Sequence, residues 1–256
     1  MSFLDGLLQS TRARVEETKR KLSEEALEQR VASSPPPRGF SRALQGDGLS
    51  VVAEIKRASP RKGALNLDLE AAPLARAYAA GGAAAISVLT EPEGFKGSIE
   101  DMQAARDAGL PVLRKDFVID PFQVLESRAL GADAVLLIVK AVGTELSDLA
   151  SACRAVGMDA LVEVHDENEL DRAIEAGATL IGVNHRDLVT FEVDPDRTRK
   201  LAPLVPEGVT LVALSGVSRR QEMLALSDAG ADAVLIGETL VTAADPVAKL
   251  RELLGT

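Results

Sequence analysis

DAVLLIV, residues 133–139, is a strand-length run that is apolar after its first residue, and it follows a glycine at 131. A short, continuous apolar run of this kind suits a strand covered on both faces. Runs of the same character lie on either side of it: VVAEIK (51–56), AAISVLT (84–90) and PVLRKDF (111–117) before, and ALVEVH (160–165), LIGVN (180–184), LVALS (211–215) and AVLIG (233–237) after. Polar, Ala- and Leu-rich stretches of helical period separate them, such as 67–80 and 218–229. Glycines at 82, 109, 131, 157, 177, 208 and 230 recur about every 25 residues, where helices should end in a left-handed cap. Eight strand–helix units imply parallel pairing, because parallel neighbours need crossover connections. The predicted fold is α/β, a (β/α)8 TIM barrel. A doubly wound open sheet would carry a glycine fingerprint after its first strand, and Lys56-Arg57-Ala58-Ser59-Pro60 is not one.

Ahead of the repeats, residues 3–30 read as one charged amphipathic helix with an apolar set at Phe3, Leu4, Leu7 and Leu8. The run Pro35-Pro36-Pro37 ends it, and a short helical pattern follows over 39–44. The chain is expected to be one barrel domain, 1–256, with 1–50 as an N-terminal helical extension.

Composition narrows the function. With 29 basic and 39 acidic residues the net charge is −10, which argues against nucleic-acid or anionic-membrane binding by general basicity. Aromatic residues make up 3% of the chain, too few for a base-stacking platform. The longest stretch without a charged residue, Ala77 to Thr90, is too short to span a bilayer. Cys153 is the only cysteine, so neither a disulfide framework nor a thiolate metal cluster is expected. The first residues do not read as a secretory signal, and the expected location is the cytoplasm.

In such a barrel the reacting groups sit where strands end. Glu54 and Lys56 share a face of the first run, Lys115 ends the third, and Glu163 lies within the fifth. Asn184 and Ser215 end the sixth and seventh. Charges on apolar strands are costly unless paired or functional, and two lysines with two glutamates at one barrel mouth supply a general acid and a general base. Ser215-Gly216 and Gly237-Glu238 follow strands seven and eight, where glycine loops expose backbone N–H groups to a phosphate. The expected partner is therefore a phosphorylated small molecule. The charged loop from Ser59 to Gly63 is a candidate lid. His165 and His185 lack a third ligand near in sequence, so no metal site is expected. A Schiff base on Lys56 or Lys115, as in barrel aldolases, is the chemical rival.

Together these segments resemble indole-3-glycerol-phosphate synthase. The resemblance runs through AEIKRASPRKG (53–63), SVLTEPEGFKGS (87–98), VLRKDFVIDPFQ (112–123), GADAVLLIV (131–139), LVEVHDENEL (161–170), GVNHRDL (182–188), ALSGV (213–217) and GADAVLIGETL (230–240), essentially the whole chain. It implies that 1-(2-carboxyphenylamino)-1-deoxyribulose 5-phosphate closes to indole-3-glycerol phosphate with loss of CO2 and water, and that no metal or organic cofactor takes part. By the same resemblance Lys115 is the general acid, Glu163 the general base, and Lys56 assists at the carboxylate. Glu54 and Asn184 orient these groups. Ser215, Gly216, Gly237 and Glu238 match the phosphate cradle, Arg186 adds charge, Ser59 belongs to the substrate loop, and Phe95, Phe117 and Leu136 form the apolar wall. Other tryptophan-pathway enzymes are conceivable partners, although no residue pattern points to one. The chain departs from the family at Leu214, where the usual residue is Glu, and at His185, where Asn is common. Leu214 keeps open a weakened enzyme, or a barrel that binds the phosphate ligand without turning it over.

Overall fold

The computed structural model describes residues 3–46, 48–187 and 192–256; Leu188, which ends one segment of the family resemblance, lies outside them. Eight parallel strands close into a barrel in chain order: β1 (Ser50–Ile55), β2 (Ala85–Leu89), β3 (Val112–Lys115), β4 (Ala134–Ile138), β5 (Asp159–Val164), β6 (Leu180–Asn184), β7 (Thr210–Leu214) and β8 (Ala233–Ile236). β8 returns to β1 through the register Val51↔Val234 and Val52↔Leu235. Each expected strand is present, with its ends within two residues of expectation: β6 matches, β1, β5 and β7 lie one residue earlier, and the others are shorter. Val139, for example, already begins a four-residue helix, and Lys56 lies just past β1.

Successive side chains alternate between two cores, as a period of two requires. Val51, Ala53, Ile55, Val135, Leu137, Val162 and Ile181 face the surrounding helices. Val52, Ala85, Leu113, Leu136, Leu161, Leu180, Val212, Leu214 and Leu235 fill the barrel interior. All seven glycines expected to cap helices have positive φ, from 71° at Gly157 to 98° at Gly82.

The N-terminal region differs from expectation in one respect. In place of one helix over 3–30 there are two, α1 (Phe3–Lys21) and α2 (Glu24–Ser33), because Ser23 starts a new helix by accepting the Ala26 N–H at 3.2 Å; the second runs three residues past the expected end. Helix α3 (Phe40–Ala43) follows the prolines. Two further helices start later than expected. The first begins at Ala71 rather than 67, since Leu65 and Asn66 donate backbone N–H groups to Arg57 O. The second begins at Arg220 rather than 218, since the Glu222 carboxylate holds Ser218 N.

The extension stoppers both ends of the barrel. Leu4, Leu7 and Leu8 of α1 join the interior core at the C-terminal ends of the strands. Phe40 and Leu44 enter from the opposite end, where Ser41 N donates to Asp159 Oδ2 at 2.9 Å and Gln45 Nε2 to Thr210 Oγ1 at 3.1 Å. Among the described residues no helix is long and apolar enough to cross a membrane.

Candidate active site

The inward alternation that packs the barrel below becomes polar at the last turn of the strands. Val52 is followed on its face by Glu54, Leu113 by Lys115, Leu161 by Glu163 and Gly182 by Asn184. Glu54 is buried between two cations: its Oε1 lies 2.7 Å from Lys56 Nζ and its Oε2 4.0 Å from Lys115 Nζ. Burial alone pushes the Glu54 carboxyl up, but Lys56 and then Lys115 outweigh it and hold the group below the ordinary carboxylate range. Across the barrel, Asn184 Nδ2 donates to Glu163 Oε1 at 3.0 Å, while Asn184 Oδ1 accepts from Arg186 N at 3.0 Å. The amide is thereby fixed in one orientation and fixes the carboxylate in turn.

Lys115 stands between two anchored neighbours. Asp116 accepts from Thr90 Oγ1 at 2.7 Å and Phe117 N at 2.9 Å, and pairs with Arg114 and Arg14, each at 3.3 Å. Burial opposes ionisation of Asp116, yet Arg114 and Arg14 keep its carboxyl below the ordinary range. Since Arg14 belongs to α1, the same carboxylate ties the N-terminal helix to the end of β3. Phe95 is placed by Glu91, whose carboxylate accepts from the backbone N–H groups of Glu93, Gly94 and Phe95.

The ends of β7 and β8 approach the ion pair closely. Ser215 and Gly216 are both left-handed, at φ 72° and 86°, a costly conformation for the serine that turns the chain sharply after Leu214. Thr239 Oγ1 donates to Val217 O at 2.8 Å and links the two loops. Gly237 leaves no room for a side chain: a Cβ there would lie 2.2 Å from Glu54 Oε1 and 2.9 Å from Lys56 Nζ. The helix after Gly237 is a single turn, Glu238–Val241. Lys62, from a small hairpin pairing Ala58–Ser59 with Gly63–Ala64, forms an ion pair with Glu238 and lays the first loop over this end.

These elements enclose a cavity of about 360 Å³. Of the residues singled out from sequence, Glu54, Lys56, Ser59, Phe95, Lys115, Phe117, Asn184, Arg186, Ser215, Gly216, Gly237 and Glu238 line it. Glu163 lies behind Asn184, and Leu136 is packed in the barrel interior; neither is on the cavity wall. Leu214 is on that wall, 1% exposed. The sequence reading missed Phe3, Leu4 and Leu7, which form part of the apolar wall, along with Leu89, Leu235 and Ser218; Arg61, from the candidate lid, lines the cavity too. The apolar period of α1 was the available signal for the first three.

The remaining reactive side chains are engaged or buried. His185 Nε2 shares a 2.7 Å hydrogen bond with Thr198 Oγ1, and burial holds the imidazole below its ordinary proton affinity. Burial pushes the Cys153 thiol up to about 12, which leaves it unreactive at neutral pH. Among the described residues no group of three or more His, Cys, Asp or Glu side chains has a geometry that holds a metal.

Comparisons with known proteins bear on the fold and on the family. The barrel resembles 3-hexulose-6-phosphate synthase (TM-score 0.61, 17% identity, 81% of this chain and 99% of that one) and thiamine phosphate pyrophosphorylase from Pyrococcus furiosus (TM-score 0.60, 18% identity, 81% and 94%). At such identities the likeness is one of fold alone. Sequence relatives are much nearer. Indole-3-glycerol phosphate synthase of Parafrankia sp. is 51% identical over 248 residues, 96% of this chain and 92% of its own. Indole-3-glycerol phosphate synthase 2 of Streptomyces coelicolor is 51% identical over 249 residues, 96% and 95%. The Mycolicibacterium vanbaalenii synthase is 47% identical over 254 residues, 98% and 93%. The family model for indole-3-glycerol phosphate synthase matches residues 4–253, from α1 through the last helix, and the chain therefore belongs to the indole-3-glycerol phosphate synthase family.

Proposed function

We propose that this chain converts 1-(2-carboxyphenylamino)-1-deoxyribulose 5-phosphate to indole-3-glycerol phosphate, CO2 and water. The observation that carries the reading is the placement of Lys56 and Lys115 around Glu54 in a cavity closed at one end by the glycine loops of β7 and β8. A substrate with a phosphate at one end and an aromatic carboxylate at the other matches that polarity.

The phosphate binds to backbone N–H groups at Ser215, Gly216, Gly237 and Glu238, with Arg186 adding positive charge. Phe95 and Phe117, with Phe3, Leu4 and Leu7 of the extension, receive the anthranilate ring and replace water around it. Residues 1–50 are thus part of the catalytic domain rather than an appendage. Leu136 supports this wall from the layer beneath.

Lys115 donates a proton to the ketone oxygen as the carboxylate-bearing aromatic carbon attacks the carbonyl carbon. Loss of CO2 restores the aromatic ring. In the dehydration, a lysine protonates the departing hydroxyl while Glu163, aimed by Asn184, accepts the proton released as the pyrrole double bond forms. Lys56 pairs with the substrate carboxylate, and Glu54 keeps both ammonium heads in place. Ser59 closes with the Lys62 loop over the bound substrate. The reaction needs no cofactor, and we place it in the cytoplasm, where a lone buried thiol such as Cys153 is usual.

Mixing the purified protein with the substrate and following indole fluorescence tests the assignment. Steady turnover supports the synthase; absence of product at saturating substrate overturns it. Leu214, apolar on the cavity wall, favours a second reading in which the barrel binds this ligand without converting it. Calorimetric binding with no fluorescence would establish that alternative.

A further inference from the structure

Two neighbouring buried side chains, Glu163 and His165, each leave one polar atom without a hydrogen-bond partner among the described residues. Glu163 Oε1 accepts from Asn184, but Glu163 Oε2 has no donor. His165 Nε2 has no partner either, and it stands 3.6 Å from Glu163 Oε1. Both side chains are almost wholly buried. An unpaired buried polar group is costly, so one on each of two adjoining side chains calls for an explanation.

The other side of the imidazole supplies it. Glu169 Oε2 accepts from the backbone N–H of His165 at 2.8 Å and lies 3.0 Å from His165 Nδ1. An ionised carboxylate only accepts, so the Nδ1 proton belongs to this hydrogen bond. A neutral imidazole would then present a bare lone pair at Nε2 to a second carboxylate. Two buried acceptors repel at that distance, whereas one proton between them turns the contact into attraction.

We propose that His165 is a positioning residue for the reaction: clamped by Glu169, it holds a proton at Nε2 toward Glu163 Oε1 and, together with Asn184, fixes the carboxylate that acts as the base. The inference rests on the reading of Glu163 as the general base. Three charged groups face the imidazole from the elements packed on it: Glu163 on β5, which ends one residue before His165, Glu169 on the helix Glu167–Glu175, and Arg197 on the helix Arg197–Leu201. Arg197 also donates to Asn184 O, so the same shell positions the base from above. Burial works against the imidazolium, but the Glu169 hydrogen bond and the charges of Glu163 and Glu169 outweigh burial and Arg197, and His165 keeps its proton above the ordinary value.

The chain has only two histidines, so imidazole ¹⁵N spectra give two resolvable titrations, and His165→Asn assigns them. The expected result is that His165 remains doubly protonated above pH 7 in the parent and titrates at lower pH in both Glu163→Gln and Glu169→Gln. Kinetically, His165→Asn should lower kcat about tenfold, leave KM within about twofold, and move the acid limb of the kcat profile to higher pH, since one unit of proton affinity corresponds to tenfold. A parent His165 that is neutral at pH 7 overturns the proposal, as does a folded His165→Asn with parent kcat and parent pH profile. If His165→Asn does not fold, the Glu169→Gln spectrum and profile decide in its place. Glu163→Gln separates the two levels: full activity in that variant refutes Glu163 as base, whereas an inactive Glu163→Gln beside a parent-like His165→Asn refutes only the role of His165.

Discussion

Leu214 leans into the space that Gly182 leaves on the neighbouring strand: a Cβ on Gly182 would lie 2.8 Å from Leu214 Cδ1 and 3.2 Å from Leu161 Cδ1. The side chain thereby belongs both to the barrel interior and to the cavity wall. It makes the mouth apolar at the position where the resemblance implies a carboxylate, and among the described residues Glu54 is the one carboxylate that pairs with both Lys56 and Lys115.

Leu214→Glu should raise kcat/KM by roughly tenfold. A carboxylate at this inward position adds a second anion near the lysines and helps hold their ammonium heads in place, and a gain of about 1.4 kcal/mol corresponds to a factor of ten. Kinetics and thermal melting are measured together, because a glutamate without a partner would destabilise the barrel. A stable, folded variant with no gain would show that the mouth functions without that charge.

Lys115→Ala should abolish ring closure while leaving binding of a phosphate-bearing product analogue within a few-fold of the parent. Loss of a general acid costs about 10²–10⁴ in rate. Single-turnover fluorescence and calorimetry on the variant test the two halves separately, and near-parent kcat would remove Lys115 from the mechanism.

Gly237→Ala should damage catalysis and binding together. The new Cβ would fall 2.2 Å from Glu54 Oε1, and Glu54 is too deeply buried to retreat, so the ion pair with Lys56 must move. Gly216→Val, at φ 86°, should act mainly on KM, since a branched residue in the left-handed region distorts the turn that presents the backbone donors. Unchanged KM in both variants would locate the phosphate elsewhere.

Acid should destabilise the parent more than Glu54→Gln. With its proton affinity lowered by Lys56 and Lys115 from an ordinary value of 4.5, ionised Glu54 contributes stability that is fully present above pH 4.5. That contribution is lost as pH falls from 4.5 toward the lowered value. Thermal melts of both proteins at pH 7 and pH 3.5 give the comparison, and an equal loss of Tm would show that Glu54 is not held by its lysines.

Much of the architecture was legible in the sequence because its signals are local. A glycine after each helix, a strand-length apolar run and a period of two suffice to count eight units and to turn Glu54, Lys115, Glu163 and Asn184 inward at strand ends. The split of residues 3–30 into α1 and α2 was also written locally, in Ser23, but a continuous charged pattern conceals a cap whose effect depends on one side-chain hydrogen bond.

What only the tertiary structure decided are relations between residues far apart in the chain. The apolar period of α1 says that a face is buried, but not that Phe3, Leu4 and Leu7 cover the mouth of the barrel; Arg14 reaching Asp116 is part of what docks the helix there. The bond between Lys62 and Glu238, the bareness of Gly237 against Glu54 and the hydrogen bond from Asn184 to Glu163 likewise depend on closure of the barrel. Periodicity along a strand determines which way a side chain points. Which partner it meets is determined by register and loop path around the ring, and those are properties of the packed whole.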